Sequence, residues 1–84
     1  MLVQIYNNRG CLFIKQGDLI KGMSDFNKAI EISPNFVQSY YNRAIAYYLL
    51  KEYGNAQEDV HKVVALGGAV SPNFIMALKN ESNR

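Results

Sequence analysis

The side chains able to do covalent or acid–base chemistry are sparse in this sequence, and their spacing does not suit it. Cys11 is a lone thiol, which excludes an internal disulfide framework and a cysteine-based structural zinc site; it reads as a small apolar residue suited to a reducing compartment. His61 is a lone imidazole among Glu58, Asp59 and Lys62, the setting of a solvated surface residue and not of a ligand or base. Leu66-Gly67-Gly68-Ala69 follows a helical stretch where a dinucleotide fingerprint would follow a strand, so its glycines carry no phosphate-binding signal. What recurs is the pair Arg9 with Asp25, repeated at the same separation as Arg43 with Asp59. A guanidinium on an otherwise packed face needs a carboxylate, so these pairs are expected to join helices. No catalytic set, cofactor or metal is implied.

The elements that position these residues follow from an internal repeat. Laying residues 3–36 over 37–70, a period of 34, matches Val3 with Val37, Gln4 with Gln38, Tyr6 with Tyr40, Asn8 with Asn42, Arg9 with Arg43, Asp25 with Asp59 and Lys28 with Lys62. Gly10 with Ala44, Phe13 with Tyr47, Gly22 with Ala56 and Phe26 with Val60 keep size or polarity where identity is lost. Within each unit the apolar spacing is helical and predicts two helices. Gln16-Gly17-Asp18 is the break in the first unit, with Gly to end one helix and Asp to cap the next. The corresponding break near Lys51 and Glu52 lacks Gly and is expected to close with ordinary residues over Tyr53. Ser33-Pro34-Asn35 separates the units, because Pro lacks an N–H and disfavours a helical residue before it. Ser71-Pro72-Asn73-Phe74 repeats Ser33-Pro34-Asn35-Phe36 after a longer gap; a closing helix is expected from Pro72 to about Asn80, capped by Ser71, followed by a frayed tail.

These residues resemble the tetratricopeptide repeat family, whose unit has a large residue at its fourth position, small ones at the eighth, twentieth and twenty-seventh, aromatics at the eleventh and twenty-fourth, and Pro at the thirty-second. Tyr6, Gly10, Phe13, Gly22, Phe26, Ala29 and Pro34 fall on those places in the first unit, and Tyr40, Ala44, Tyr47 and Ala56 in the second. Val60, Val63 and Gly68 depart from the aromatic, the Ala and the Pro. The resemblance implies an all-α fold, a right-handed stack of antiparallel helix hairpins with about five helices. It is read as one domain with units at 3–36 and 37–70 and a capping helix at 71–80.

The resemblance further implies that the first helix of each hairpin lines a concave groove for a protein or peptide partner. On this sequence the groove positions are Gln4, Asn7, Asn8, Cys11, Ile14 and Lys15, then Gln38, Tyr41, Asn42, Ile45, Tyr48 and Leu49. The recurring Asn8 and Asn42 stand out, because a carboxamide both donates to and accepts from an extended backbone. Tyr41 and Tyr48 offer amphipathic contact area, for a ligand or equally for the closing helix that opens at Pro72. A subset of the family clamps a C-terminal carboxylate with Lys and Asn on the first unit, Asn on the second, and Lys and Arg on the third; only Asn42 matches, while the first-unit places hold Asn7 and Cys11.

At 84 residues, 49% apolar and 19% charged, the chain is expected to fold as one small domain. A net charge of +2 with the basic residues scattered argues against nucleic acid. The absence of a long apolar run argues against a membrane span, and a cytoplasmic location is expected. The leading expectation is a non-enzymatic adaptor. Self-association through the ends of the stack, as a homo-oligomer, and a targeting fragment of a larger enzyme are the alternatives.

Overall fold

Helices form where the apolar spacing predicts them. The computed structural model describes residues 2–83, so Met1 and Arg84 lie outside the described residues. Its helices are α1 (Leu2–Lys15), α2 (Leu19–Ile32), α3 (Val37–Leu49), α4 (Tyr53–Ala65) and α5 (Pro72–Ser82), with no strand among the described residues. α1 packs on α2 and α3 on α4 as two hairpins; α2 lies against α3, and α5 closes the far end against α4. The fold is the expected all-α stack of hairpins.

Backbone chemistry explains each boundary. Asp18 caps α2 by accepting a hydrogen bond from the Lys21 N–H at 3.1 Å. α1 ends with Gly17 in the left-handed region (φ 83°), its N–H donating to Ile14 O and the Asp18 N–H to Phe13 O, a Schellman motif. α3 ends by the same pair of bonds, Lys51 N–H to Tyr48 O and Glu52 N–H to Tyr47 O. There Lys51 takes the left-handed place at φ 63°. A side chain in that conformation is strained by about 1–2 kcal/mol, partly offset because Gly loses more entropy on folding. Lys51→Gly is therefore expected to stabilise the chain by about 0.5–1 kcal/mol. A urea titration should show a raised midpoint at unchanged slope, and a lowered midpoint would contradict the assignment.

Between the units the Ser33 N–H still reaches Ala29 O, after which Pro34 stops the ladder, and the Tyr40 hydroxyl donates to Pro34 O at 2.7 Å. At the second exit Gly67 (φ 88°) and Gly68 form a third Schellman stop. A Cβ on Gly68 would lie 2.5 Å from Val37 Cγ1, so the chain leaves α4 pressed against the start of α3, which accounts for Gly at this place. Ser71 occupies the N-cap of α5 as expected, yet its side chain makes no capping bond; its N–H donates to the Tyr41 hydroxyl at 3.0 Å. The tail expected to fray is helical through Ser82, tied by Gln57 Nε2 donating to Ser82 Oγ at 3.0 Å.

Packing depends on small residues facing large ones. Gly10 is buried under Phe26, itself 1% exposed, and Ala29, Ala44 and Ala56 are buried with almost no surface left. Each hairpin is also stapled by its arginine. Arg9 Nε and Nη2 donate to Asp25 at 2.8 and 2.7 Å; Arg43 Nε and Nη2 donate to Asp59 at 2.8 Å each. Aromatics flank both guanidiniums, Tyr6 and Phe13 for Arg9 and Tyr40 and Tyr47 for Arg43, at 5.5 to 5.9 Å from the ring centroids. The bond to the carboxylate raises the pKa of each arginine, so the charge is held through any ordinary pH. These are the interhelical ion pairs that the sequence spacing predicts.

Candidate functional site

Asn7 and Asn42 are the two polar residues around which a groove is built between α1 and α3. Their helices are amphipathic and turn apolar positions into the core, so a carboxamide at either place must find partners among neighbouring helices or go without. Asn7 is 3% exposed; its Nδ2 donates to Ser39 Oγ on α3 at 2.9 Å, while its Oδ1, also buried, has no hydrogen-bond partner. A buried acceptor left unsatisfied costs about 1–3 kcal/mol. Asn42 is 8% exposed, and its Oδ1 accepts from Gln38 Nε2 one turn earlier at 2.9 Å.

A cavity of about 340 Å3 is lined by Gln4, Asn7, Asn8, Cys11, Phe36, Gln38 and Asn42. Beside it a recess of about 150 Å3 is lined by Cys11, Ile14, Lys15, Phe26, Asn42 and Ile45. Cys11 and Asn42 line both, so the two spaces lie side by side along one trough, with carboxamides gathered around the first and aliphatic side chains around the second. Gln4, Asn8, Lys15 and Gln38 are exposed at its rim. Burial pushes the Cys11 thiol pKa up, which keeps it protonated and apolar in character.

The structure thus gathers Gln4, Asn7, Asn8, Cys11, Ile14, Lys15, Gln38, Asn42 and Ile45 around one trough. It places Tyr41 and Tyr48 elsewhere. The Tyr41 ring stacks on Phe74 of α5 with centroids 6.2 Å apart, and Tyr48 meets Phe74 and Tyr53 edge-on at 5.6 Å. Leu49 is 47% exposed and lines neither space. Asn8 and Asn42, equivalent by period, sit in different surroundings: Asn8 is exposed while Asn42 is buried and bonded. Phe36 and Phe26 line the trough without having been singled out for it, and Ser39 holds Asn7; a serine inside a helix gives no sequence signal for that role.

A wider hollow of about 650 Å3 between α1 and α2 borders Tyr6, Arg9, Ile20, Met23 and Glu31. It is open, and its buried carboxylate is already paired to Arg9. No group of three His, Cys, Asp or Glu among the described residues is placed to hold a metal ion, and no described helix is long and apolar enough to cross a membrane.

Comparison with known proteins accords with this architecture. Two family patterns, each described as tetratricopeptide repeat, match residues 3–36 and 26–58; the first spans α1 and α2, and the second runs from within α2 into α4. The chain is 35% identical over 57 residues to Hsp70-Hsp90 organizing protein 2 of Arabidopsis thaliana, covering 68% of this chain and 10% of that protein. It is 34% identical over 62 residues to sperm-associated antigen 1 of Mus musculus, covering 74% of this chain and 7% of the relative. An uncharacterized protein of Methanocaldococcus jannaschii is 34% identical over 55 residues, 66% of this chain and 64% of that one. The chain therefore spans about a tenth of the organizing protein that it matches. With the residue pattern, the stacked hairpins and both family matches in agreement, the chain belongs to the tetratricopeptide repeat family.

Proposed function

We propose that the chain is a protein-interaction module that holds a segment of a partner polypeptide in the trough between α1 and α3. The observation that carries this is that the space lined by the carboxamides of Asn7, Asn42, Gln4 and Gln38 adjoins, through Cys11 and Asn42, the apolar recess at Ile14 and Ile45. Carboxamides suit a peptide main chain, and the recess suits one aliphatic side chain. Asn7 and Ile14 are seven residues apart on one helix, about 10 Å, the span of three extended residues. The likeness to a protein named for organizing Hsp70 and Hsp90 supports an adaptor role over a catalytic one.

A photo-crosslinking residue placed at exposed Gln38 tests the surface used. Incubated with a cell extract, it is expected to form adducts that the same residue at exposed Glu58, on α4, does not. Adducts from Glu58 alone would move the interaction to the outer helices and reject the trough.

A second reading, self-association, is favoured by one feature. Leu2, Ile5 and Leu12 are 56 to 60% exposed on α1, whereas Ser39 and Ala46, the period-related counterparts of Ile5 and Leu12, are fully buried. The side of α1 equivalent to the covered side of α3 is open and apolar, a surface on which another copy would stack. Light scattering over a concentration series separates this reading from a monomeric adaptor.

A further inference from the structure

Four residues of α1 stand in one stripe on the side turned away from its core. Leu2, Ile5, Arg9 and Leu12 follow one another at intervals of three, four and three, the spacing of a helix seam, while Val3, Asn7 and Gly10 make the buried side. Leu2, Ile5 and Leu12 are exposed by more than half, and so is the Arg9 side chain. In the second unit the same places hold Phe36, Ser39, Arg43 and Ala46, and there the first hairpin covers them: Asn7 reaches Ser39 and Asn27 reaches Arg43. Serine and alanine permit that close seat. Ile5 and Leu12 in their places hold an occupant further off, towards the wide end of the about 8 to 10 Å at which helices pair, so what fits α1 is a helix packed through interleaved apolar side chains.

The stripe is its own complement. Turned end for end about the height of residue 7, Leu2 faces Leu12 of a second copy and Ile5 faces its Arg9, and both layers recur across the dyad. A parallel pair would set Arg9 against Arg9, whereas the antiparallel one staggers the two guanidiniums by four residues, about 6 Å along the axis. α1 has no acidic residue to offer across the contact, and none is needed, because Arg9 Nε and Nη2 already hold Asp25 within each chain. The aliphatic stem of Arg9 is left to lie over Ile5 of the other copy, as long basic side chains do on apolar surface.

We infer that the chain forms an antiparallel dimer on a two-fold axis through α1, each Leu2 packed on Leu12 of the second copy and each Ile5 under its Arg9. This rests on self-association through the open side of α1. A contact made mostly by one helix of 14 residues falls short of the about 800 Å2 per partner of a standard interface, so the dimer is weak, with a Kd on the order of 0.1 mM.

Sedimentation equilibrium of the whole chain from about 10 µM to about 1 mM reads the association. Leu12→Glu is expected to raise the Kd by about tenfold or more, while Val64→Glu, at a place on α4 equally exposed, leaves it within about twofold. Both side chains are more than half in solvent, so both variants keep the fold, which circular dichroism checks. The pairing is read from disulfides formed at about 0.1 mM chain under oxidised glutathione in a Cys11→Ala background. Leu2→Cys mixed with Leu12→Cys is expected to give the crosslinked pair, and either one alone about tenfold less, because like thiols then stand ten residues apart along the axis, about 15 Å. Crosslinking of each variant with itself reports a parallel pair; it overturns the inference and leaves self-association through α1 standing. A chain that stays monomeric up to about 1 mM, or a dimer indifferent to Leu12→Glu, removes both and assigns the stripe to a different polypeptide.

Discussion

Gly10→Ala is expected to destabilise the chain by about 2 kcal/mol and to lower its melting temperature by about 10 °C. The added Cβ would lie 2.5 and 2.8 Å from Phe26 Cε1 and Cδ1, and Phe26 is 1% exposed, so its ring and the helices around it must shift to make room. Alanine's better helix propensity returns about 1 kcal/mol, which is why the net loss is smaller than the overlap alone suggests. The second hairpin shows the way to relieve it. Its equivalents are Ala44 and Val60, packed together in one cluster, so the larger residue on one helix is matched by a smaller one on the other. Gly10→Ala combined with Phe26→Val should therefore be more stable than the sum of the two single losses, by at least about 1 kcal/mol. Urea denaturation of the four chains measures the coupling, and strictly additive losses would contradict the packing described.

Arg43→Ala is expected to cost about 2 to 3 kcal/mol, and more than Arg9→Ala. Both arginines grip an aspartate whose side chain is nearly inaccessible, but Arg43 has a side chain 21% exposed against 57% for Arg9. Arg43 also donates through Nη1 to Asn27 of the preceding hairpin at 3.0 Å, so it ties three helices where Arg9 ties two. Removing Arg43 leaves the Asp59 carboxylate buried without its partner, which is the source of the loss. Replacing both groups together, Arg43→Met with Asp59→Leu, is expected to cost less than the single arginine change, since no charge is then stranded. Equal thermal stability of the Arg9→Ala and Arg43→Ala variants would contradict this ranking.

The period and the residue classes made the hairpins, the Arg–Asp staples, the Asp18 cap and the helix opening at Pro72 legible in the sequence. Each depends on residues close along the chain or on a spacing copied between units. What could not be read depends on where in the stack a residue sits. Asn8 and Asn42 share a place in the repeat, but α3 packs against the hairpin before it whereas, among the described residues, no helix packs before α1, so one carboxamide is buried and the other exposed. Tyr41 and Tyr48 lie against α5 because the closing helix brings Phe74 to them, a contact that the two-unit period does not contain. Lys51 takes a left-handed conformation because its neighbours make the same Schellman bonds as those around Gly17; an absent Gly hid a turn that the backbone makes anyway. The orphaned oxygen of Asn7 was least visible of all, since it depends on Ser39, whose counterpart in the first unit is Ile5.

The most direct measurement of the trough as a binding surface is chemical-shift mapping of the labelled chain titrated with a twelve-residue peptide selected for binding to the whole chain and capped at both ends. The side-chain amides of Asn7 and Asn42 and the methyls of Ile14 and Ile45 are expected to move together and saturate at one stoichiometry. Shifts confined to Leu2, Ile5 and Leu12 on the open side of α1, or to His61 and Val64 on α4, would contradict it.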